Sequence, residues 1–378
     1  MKYARSLRFV ERREADMVLS VAVAGATGYA GGEALRILAE HPDFEVTCVA
    51  GHSSSGDRFF KHAPHIPSLG DLIVEDTTPD VLNGHDVIVL ALPHGASGAL
   101  AAELDPEAIV IDLGADHRLE NKTAWDEYYG GQYYSNWVYG LPELIVGQNS
   151  DGTYRYQQAA LRSAKRIAGP GCNVTAVTLA IQPGIAEGFI EGDIVADLAV
   201  GYSGAGKNLK KTFLLGSEAM GSATAYSVGG THRHIPEIMQ NLAHASGLSA
   251  SESYRFSVGF TPMLVPMSRG ILATVSAALT DKGLDASDEQ IRSAWQKAYE
   301  KTDFITLLPE DMLPATNSVS GSNSAHVQVA VDRKSRRLYA FAAIDNLNRG
   351  TAGQAVESLN IALGKDEQTG LTSIGVAP

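Results

Sequence analysis

Val18-Leu19-Ser20-Val21-Ala22-Val23-Ala24-Gly25-Ala26-Thr27-Gly28-Tyr29-Ala30-Gly31 reads as a strand running into a glycine turn. The apolar run has strand length. The amphipathic stretch Glu33 to Glu40 follows, with Ala34, Leu35 and Leu38 on one side. Strand, glycine turn and helix in that order are the context that gives a glycine motif meaning. The spacing here is G-x-x-G-x-x-G rather than G-x-G-x-x-G, but the physical task can be the same. Glycines let the backbone approach a pyrophosphate, and the helix N-terminus favours the anion. A plain glycine turn would share the spacing; the flanking strand and helix favour a dinucleotide held by Gly25, Thr27, Gly28, Tyr29, Ala30 and Gly31.

Working outward, Phe44 to Ala50 reads as a second strand with Cys48 in its core face. An NAD enzyme usually carries Asp or Glu at this strand's end for the ribose 2′-hydroxyl. Here the chain continues Gly51-His52-Ser53-Ser54-Ser55-Gly56-Asp57-Arg58. Small hydroxyls (Ser53, Ser54) and a cation suit a 2′-phosphate, so NADP(H) is expected, with Asp57 the residue that weighs against it. A third strand, 86–92, ends in Pro93-His94-Gly95-Ala96-Ser97, and a fourth, 108–113, ends in Gly114-Ala115-Asp116-His117-Arg118. Strand C-termini line the crevice of a doubly wound sheet. Pro93, His94 and Gly95 are therefore placed at the cofactor, although a helix capped near Ser97 reads equally well. Arg118 suits a bidentate grip on a substrate carboxylate, or a surface ion pair. Residues 121–139 are rich in Trp and Tyr and read as a structured loop. Residues 154–165 read as a short polar helix and 166–168 as a strand.

That strand leads to Gly169-Pro170-Gly171-Cys172-Asn173-Val174-Thr175, a tight turn entering a helix. A cysteine at a helix N-terminus is expected to have a lowered pKa and to act as a nucleophile. The alternative is a small buried core residue, and position alone does not separate the two. Beyond it, strands at 193–200, 254–264, 270–279, 326–331 and 337–344 follow one another with few helices between them. That order predicts a mostly antiparallel sheet in an α+β domain. The last two strands read as a hairpin. Residues 287–300 read as a helix on the outside, and Ser287 with Gln290 has capping-box spacing. Tyr202-Ser203-Gly204-Ala205-Gly206-Lys207 can aim backbone N–H groups at an anion. This assigns Ser203, Gly204, Gly206 and Lys207 to a substrate phosphate, against a flexible loop. In Thr231-His232-Arg233-His234, two histidines around an arginine suit an acid/base and a carboxylate clamp; no metal is expected there.

The chain has 378 residues, 44% of them hydrophobic and 19% charged, enough for two domains of ordinary composition. A net charge of −13 argues against nucleic acid or an anionic membrane as partner. Two cysteines give no disulfide framework and point to a reducing cytoplasm. Residues 1–16 are charged and unpatterned and read as a disordered extension.

Taken together, Gly25-Ala26-Thr27-Gly28-Tyr29-Ala30-Gly31, Leu92-Pro93-His94-Gly95, Tyr139-Gly140-Leu141-Pro142-Glu143-Leu144, Gly169-Pro170-Gly171-Cys172, His232-Arg233-His234-Ile235-Pro236-Glu237 and Asp345-Asn346-Leu347 with Ala352-Gly353-Gln354-Ala355 resemble the N-acetyl-gamma-glutamyl-phosphate reductases of arginine biosynthesis. The resemblance spans about residues 18–363. It implies an NADP-binding Rossmann-type domain (17–171), a catalytic and oligomerisation domain (172–344) and a C-terminal helix (345–378) returning to the first domain. It also implies a homodimer or homotetramer acting on a small-molecule substrate. By the same resemblance Cys172 is the nucleophile, His232 the acid/base, Arg233 and His234 substrate contacts and Asn346 a cofactor contact. Asn173 stands where the family commonly has Tyr, and Asp116-His117-Arg118 replaces a more usual Asp-Phe-Arg. Three other readings fit parts of the pattern: an aspartate-semialdehyde dehydrogenase, a reductase of carrier-linked aminoadipate, and a non-catalytic NADP sensor. The last leaves Cys172 and the His-Arg-His segment without a role.

Overall fold

The computed structural model describes residues 18–207 and 219–377, so the expected extension at 1–16 lies outside the described residues. In the first half, β1 (Leu19–Ala24) passes through the glycine turn into α1 (Tyr29–Leu38). Then come β2 (Phe44–Ala50), β3 (Val87–Leu90), β4 (Ile109–Asp112) and β5 (Val138–Tyr139). A small hairpin of β6 (Ile145–Gln148) and β7 (Tyr154–Tyr156) stands apart, and β8 (Arg166–Ala168) completes the sheet. The strands lie in the order β2-β1-β3-β4-β8-β5, and every neighbouring pair is parallel. β1 sits between β2 and β3, where the winding reverses, so the glycine turn opens at the point where such sheets bind nucleotides.

Two local expectations are corrected. The stretch expected as one helix over 154–165 is β7 followed by a single turn, Gln158–Leu161; Tyr154 and Tyr156 favour an extended chain. The aromatic loop at 121–139 contains a short helix, Lys122–Tyr128, because the Asn121 side chain accepts the N–H groups of Thr123 and Ala124.

The second half is built on a seven-stranded mixed sheet. α2 (Cys172–Ala186) leads into β9 (Ile190–Gly201), β10 (Thr224–Ala225), α3 (Ile235–Ala245), β11 (Ser257–Val265) and β12 (Ile271–Leu279). α4 (Asp288–Tyr299), β13 (Ile305–Leu307), β14 (Ala325–Asp332) and β15 (Arg337–Ile344) follow. The order is β10-β11-β9-β12-β15-β14-β13. The β11–β9 and β14–β13 pairs are parallel and the others antiparallel, with β14 and β15 the expected hairpin. α4 begins with the Ser287–Gln290 capping box.

α2 is apolar on nearly every side and is buried from Asn173 to Ile185. Pro183 within it has no N–H to give the carbonyl of Leu179. The Tyr299 hydroxyl donates to that carbonyl instead, at 2.6 Å. After β15, a wide turn at Asn348–Ala352 enters α5 (Gly353–Ala362). Ala355, Val356, Leu359 and Ile361 of α5 join the core of the first sheet and α1, so the chain does return to its N-terminal half. Arg349 in the turn is fully buried and reaches Glu143 and Glu357, both at 2.5 Å. Among the described residues no helix is long and apolar enough to cross a membrane.

Candidate active site

The turn Gly169-Pro170-Gly171 brings Cys172 to the first position of α2, with Gly171 as N-cap. Backbone packs closely behind it: a Cβ on Gly350 would lie 2.8 Å from the Cβ of Cys172. The wide turn after β15 therefore forms the rear wall of the cysteine. Two side chains hold the turn from opposite ends. Arg118 Nε donates to Gly169 O at 2.7 Å and Nη2 to Leu113 O at 2.9 Å. Glu237 Oε1 accepts the Gly171 N–H at 3.0 Å and the Tyr139 hydroxyl at 2.7 Å. Arg118 Nη1 lies 3.6 Å from Glu237 Oε2, and the two residues are 6% and 0% exposed. Arg118, expected at a substrate carboxylate, is thus enclosed and has two of its three nitrogens on main-chain carbonyls.

The enclosure also changes the expectation for the thiol. Desolvation pushes Cys172 up to about 11, and the Arg118 charge and the Asn173 N–H pull it back only in part. The helix N-terminus is present, but burial outweighs it, and the resting group is a thiol.

A cleft of about 610 Å3 is lined by Cys172, Asn173, His94, Gly204, Tyr226, His232, Arg233 and His234. The structure therefore joins the cysteine turn, the His-Arg-His segment, the end of β3 and the loop after β9. His232 Nδ1 accepts the main-chain N–H of His234 at 3.0 Å. A backbone N–H can only donate, so neutral His232 carries its proton on Nε2. Burial, with the Arg233 charge, pushes its pKa down to about 4. The His234 ring lies on Gly171, where a Cβ would meet its Nε2 at 2.6 Å. Arg233 is exposed, makes no ion pair among the described residues, and stands 5.4 Å from the centre of the Tyr129 ring. Gly204 lines the cleft, but the N–H groups of Ser203 and Gly206 donate to Ser268 O and Ser203 O. The Ser203 hydroxyl pairs with Asn346, whose Nδ2 donates to it at 2.9 Å. Asn346 is itself buried, and its Oδ1 accepts the Gly270 N–H at 2.7 Å.

The glycine turn has the shape a dinucleotide needs. Gly25 has φ +78°, and a Cβ there would sit 2.2 Å from Ala91 O. A Cβ on Gly31 would sit 2.3 Å from Gly25 O, whereas Gly28, the N-cap of α1, faces open space apart from Gly25 O at 3.4 Å. Thr27 and Tyr29 flank it, Tyr29 exposed. Lys207 Nζ donates to Thr27 O at 3.2 Å. That lysine, expected at a substrate phosphate, is brought to the glycine turn. At the end of β2, Ser53 is exposed, while Ser54 is buried and its Oγ lies 3.2 Å from Thr27 Oγ1. Asp57 pairs with Lys61 at 2.8 Å and His62 at 2.9 Å. Pro93, His94 and Gly95 are exposed, and Asp116 fixes their loop by accepting the N–H groups of Gly95 and Gly98 at 2.8 and 2.9 Å. These residues fit an NADP cofactor.

Residue type alone does not single out Glu237 as a site residue. Its signal is an acid directly after Ile235-Pro236, in the first turn of a buried helix, with Gln240 and Asn241 one turn on along the same face.

Residues 20–150 match the family model described as semialdehyde dehydrogenase, NAD binding domain, and residues 172–346 the one described as semialdehyde dehydrogenase, dimerisation domain. The chain is 71% identical over 360 residues to the N-acetyl-gamma-glutamyl-phosphate reductase of Bifidobacterium longum (strain DJO10A), covering 95% of this chain and 99% of that protein. It is 52% identical over 363 residues to the protein of the same name from Leifsonia xyli subsp. xyli, covering 96% and 100%. Among solved structures it is similar to aspartate semialdehyde dehydrogenase with NADP from Candida albicans (TM-score 0.65, 16% identity, 93% and 99% coverage), a likeness of fold.

Proposed function

The chain belongs to the N-acetyl-gamma-glutamyl-phosphate reductases, oxidoreductases built on the semialdehyde dehydrogenase fold, and from that premise we propose that it converts N-acetyl-L-glutamyl 5-phosphate and NADPH to N-acetyl-L-glutamate 5-semialdehyde through a thioester on Cys172. In this reading it serves arginine biosynthesis in the cytoplasm. The observation that supports the reading most directly is that Cys172 and His232 line one cleft, with the His232 tautomer fixed from behind.

Cys172 Sγ bonds to the acyl carbon, the bond from that carbon to the phosphate oxygen breaks, and the thiol proton leaves on the phosphate. A covalent intermediate divides one difficult transfer into two. His232 Nε2–H donates to the acyl oxygen as it gains charge, and Arg233 takes the α-carboxylate. NADPH, when bound, supplies the hydride that reduces the thioester carbon. Gly25 to Gly31, Ser53 and Lys207 would hold it. The oxyanion left by the hydride expels sulfur as the C–S bond breaks and the semialdehyde departs, and one proton taken from solvent and relayed by His232 restores the thiol. The half of the second sheet that α2 leaves uncovered carries Val195, 40% exposed, with Met263 and Leu272. We read it as a homodimer surface.

The test is a spectrophotometric assay in reverse, with NADP+, inorganic phosphate and N-acetylglutamate semialdehyde. Phosphate-dependent cofactor reduction is expected, absent in Cys172→Ser, which still binds NADPH. Turnover of aspartate semialdehyde instead would keep the chemistry and overturn the substrate.

A further inference from the structure

Away from the cysteine cleft, a cavity of about 310 Å3 opens between the β6–β7 hairpin, the end of α4 and the chain after α5. Its wall holds Glu143, Tyr154 and Tyr156, with Glu300, Lys301 and Glu367. Glu143 is 5% exposed. Its Oε2 accepts from Arg349 Nη2, and among the described residues no donor reaches its Oε1.

The buried set behind this wall is short of positive charge. Arg349 pairs with both Glu143 and Glu357, and all three are enclosed. Two carboxylates thus share one guanidinium, and buried charge in excess is costly until a proton or a cation joins it. Burial pushes Glu357 well above its ordinary value despite the Arg349 charge. Burial and the neighbouring Asp303 raise Glu367 to about 7, and the donor it meets is the neutral amide of Gln158, at 2.8 Å. Lys297, also in the wall, is already engaged by Glu187 at 2.8 Å. Its ammonium stands 4.1 Å from the centre of the Tyr154 ring, so this aromatic wall accommodates a cation. Among the described residues no three acidic, histidine or cysteine side chains converge on a metal position. The walls fit a charge carried on an apolar stem.

We propose that this cavity is a second ligand site, separate from the cysteine cleft, for a small organic cation: an ammonium meets Glu143 Oε1 and its aliphatic stem lies against Tyr154 and Tyr156. The ligand supplies the counter-charge that the two buried carboxylates lack. The site stands apart from the reductase reading, since the two cavities share no wall residue.

The test is isothermal titration calorimetry of the full chain with L-lysine, 1,4-diaminobutane and L-norleucine, the last being lysine with hydrogen in place of the side-chain ammonium group. Lysine and the diamine are expected to bind with Kd of about 1 mM or tighter, and norleucine not to bind. Tighter binding of lysine marks a cationic amino acid, whose carboxylate can meet Lys301; tighter binding of the diamine marks a polyamine. Glu300→Gln and Glu367→Gln should each weaken the cation about threefold, and the double variant about tenfold. Glu143→Gln should weaken it further; where that variant fails to fold, the Glu300 and Glu367 variants decide. Absence of binding of both cations at about 20 mM, norleucine binding as tightly as lysine, or an unchanged Kd in the double variant overturns the site.

Discussion

Glu237 Oε1 accepts the main-chain N–H of Gly171 at 3.0 Å, one residue before Cys172. Arg118 holds the carbonyl of Gly169 at the other end of the same turn, and the carboxylate and guanidinium face each other at 3.6 Å. A turn of Gly, Pro and Gly has little side-chain packing of its own, so its position is set by this buried pair. Glu237→Gln retains an acceptor for Gly171 but leaves the Arg118 charge enclosed and unpaired. Removing one partner of such a pair destabilises by about 3 kcal/mol. The urea midpoint should fall accordingly and kcat should drop, with the NADPH dissociation constant unchanged. A variant of wild-type stability would show that the pair does not hold the turn.

His232 is neutral across the physiological range, since burial and Arg233 bring it down to about 4. The rate of reduction should therefore show no inflection near the ordinary histidine value of about 6.5. His232→Asn should lower kcat about a hundredfold or more. The same shift has a consequence for stability. The unfolded chain takes up this proton before the folded one does as the pH falls. Stability is therefore complete above about 6.5 and is lost between there and about 4. His234, pushed well below its ordinary value by burial and by His232, adds to the effect in the same direction. Urea unfolding at pH 7.5 and pH 5 should show wild type losing more than His232→Asn. Equal losses would mean that the ring is not desolvated in solution.

The parallel sheet was legible at β1 because strand, glycine turn and helix are consecutive, and local chemistry alone specifies them. The place of β9 between β11 and β12 was not, since register between distant strands is decided by packing. The same division runs through the site. Cys172 at the start of α2 follows from Gly169-Pro170-Gly171, but its raised pKa does not. The groups that enclose it, Gly350 and Arg118 among them, lie far away in the chain. Lys207 is expected from its loop at a substrate phosphate, and only the fold shows its Nζ donating to the Thr27 carbonyl of the glycine turn. Arg118 is expected from its place at a strand end to grip a substrate carboxylate, and Glu237 has no distinguishing spacing; their shared hold on one turn is a property of the tertiary structure.

A thiol raised to about 11 should alkylate slowly in the resting enzyme. With iodoacetamide the rate is expected to climb steadily from pH 7 to 9.5 without reaching a plateau. N-acetylglutamate semialdehyde should protect. Cys48 is buried in β2 and likewise pushed up to about 11 by burial, so a single modification per chain is expected at short times, at Cys172. A plateau below pH 8 would show that a thiolate already forms in the free protein.

In the proposed reading, cofactor choice is set at two points, Lys207 beside the glycine turn and Ser53 just past the end of β2. Lys207 places an ammonium at Thr27 O, where it can face the cofactor phosphates, while Ser53 stands exposed just past the end of β2. An exposed cation of this kind contributes modestly and is screened by salt. Lys207→Ala should weaken NADPH binding roughly fivefold at low ionic strength, and the difference from wild type should shrink as salt is added. Ser53→Asp sets a carboxylate where an NAD enzyme reads the ribose hydroxyl. It should weaken NADPH about tenfold or more by repulsion of like charges and leave NADH binding equal or better. Fluorescence titration of both variants with both cofactors separates the two effects. Loss of NADH binding in Ser53→Asp to the same extent as NADPH would show that the 2′-phosphate is held elsewhere, because repulsion by the new carboxylate acts on the phosphate alone.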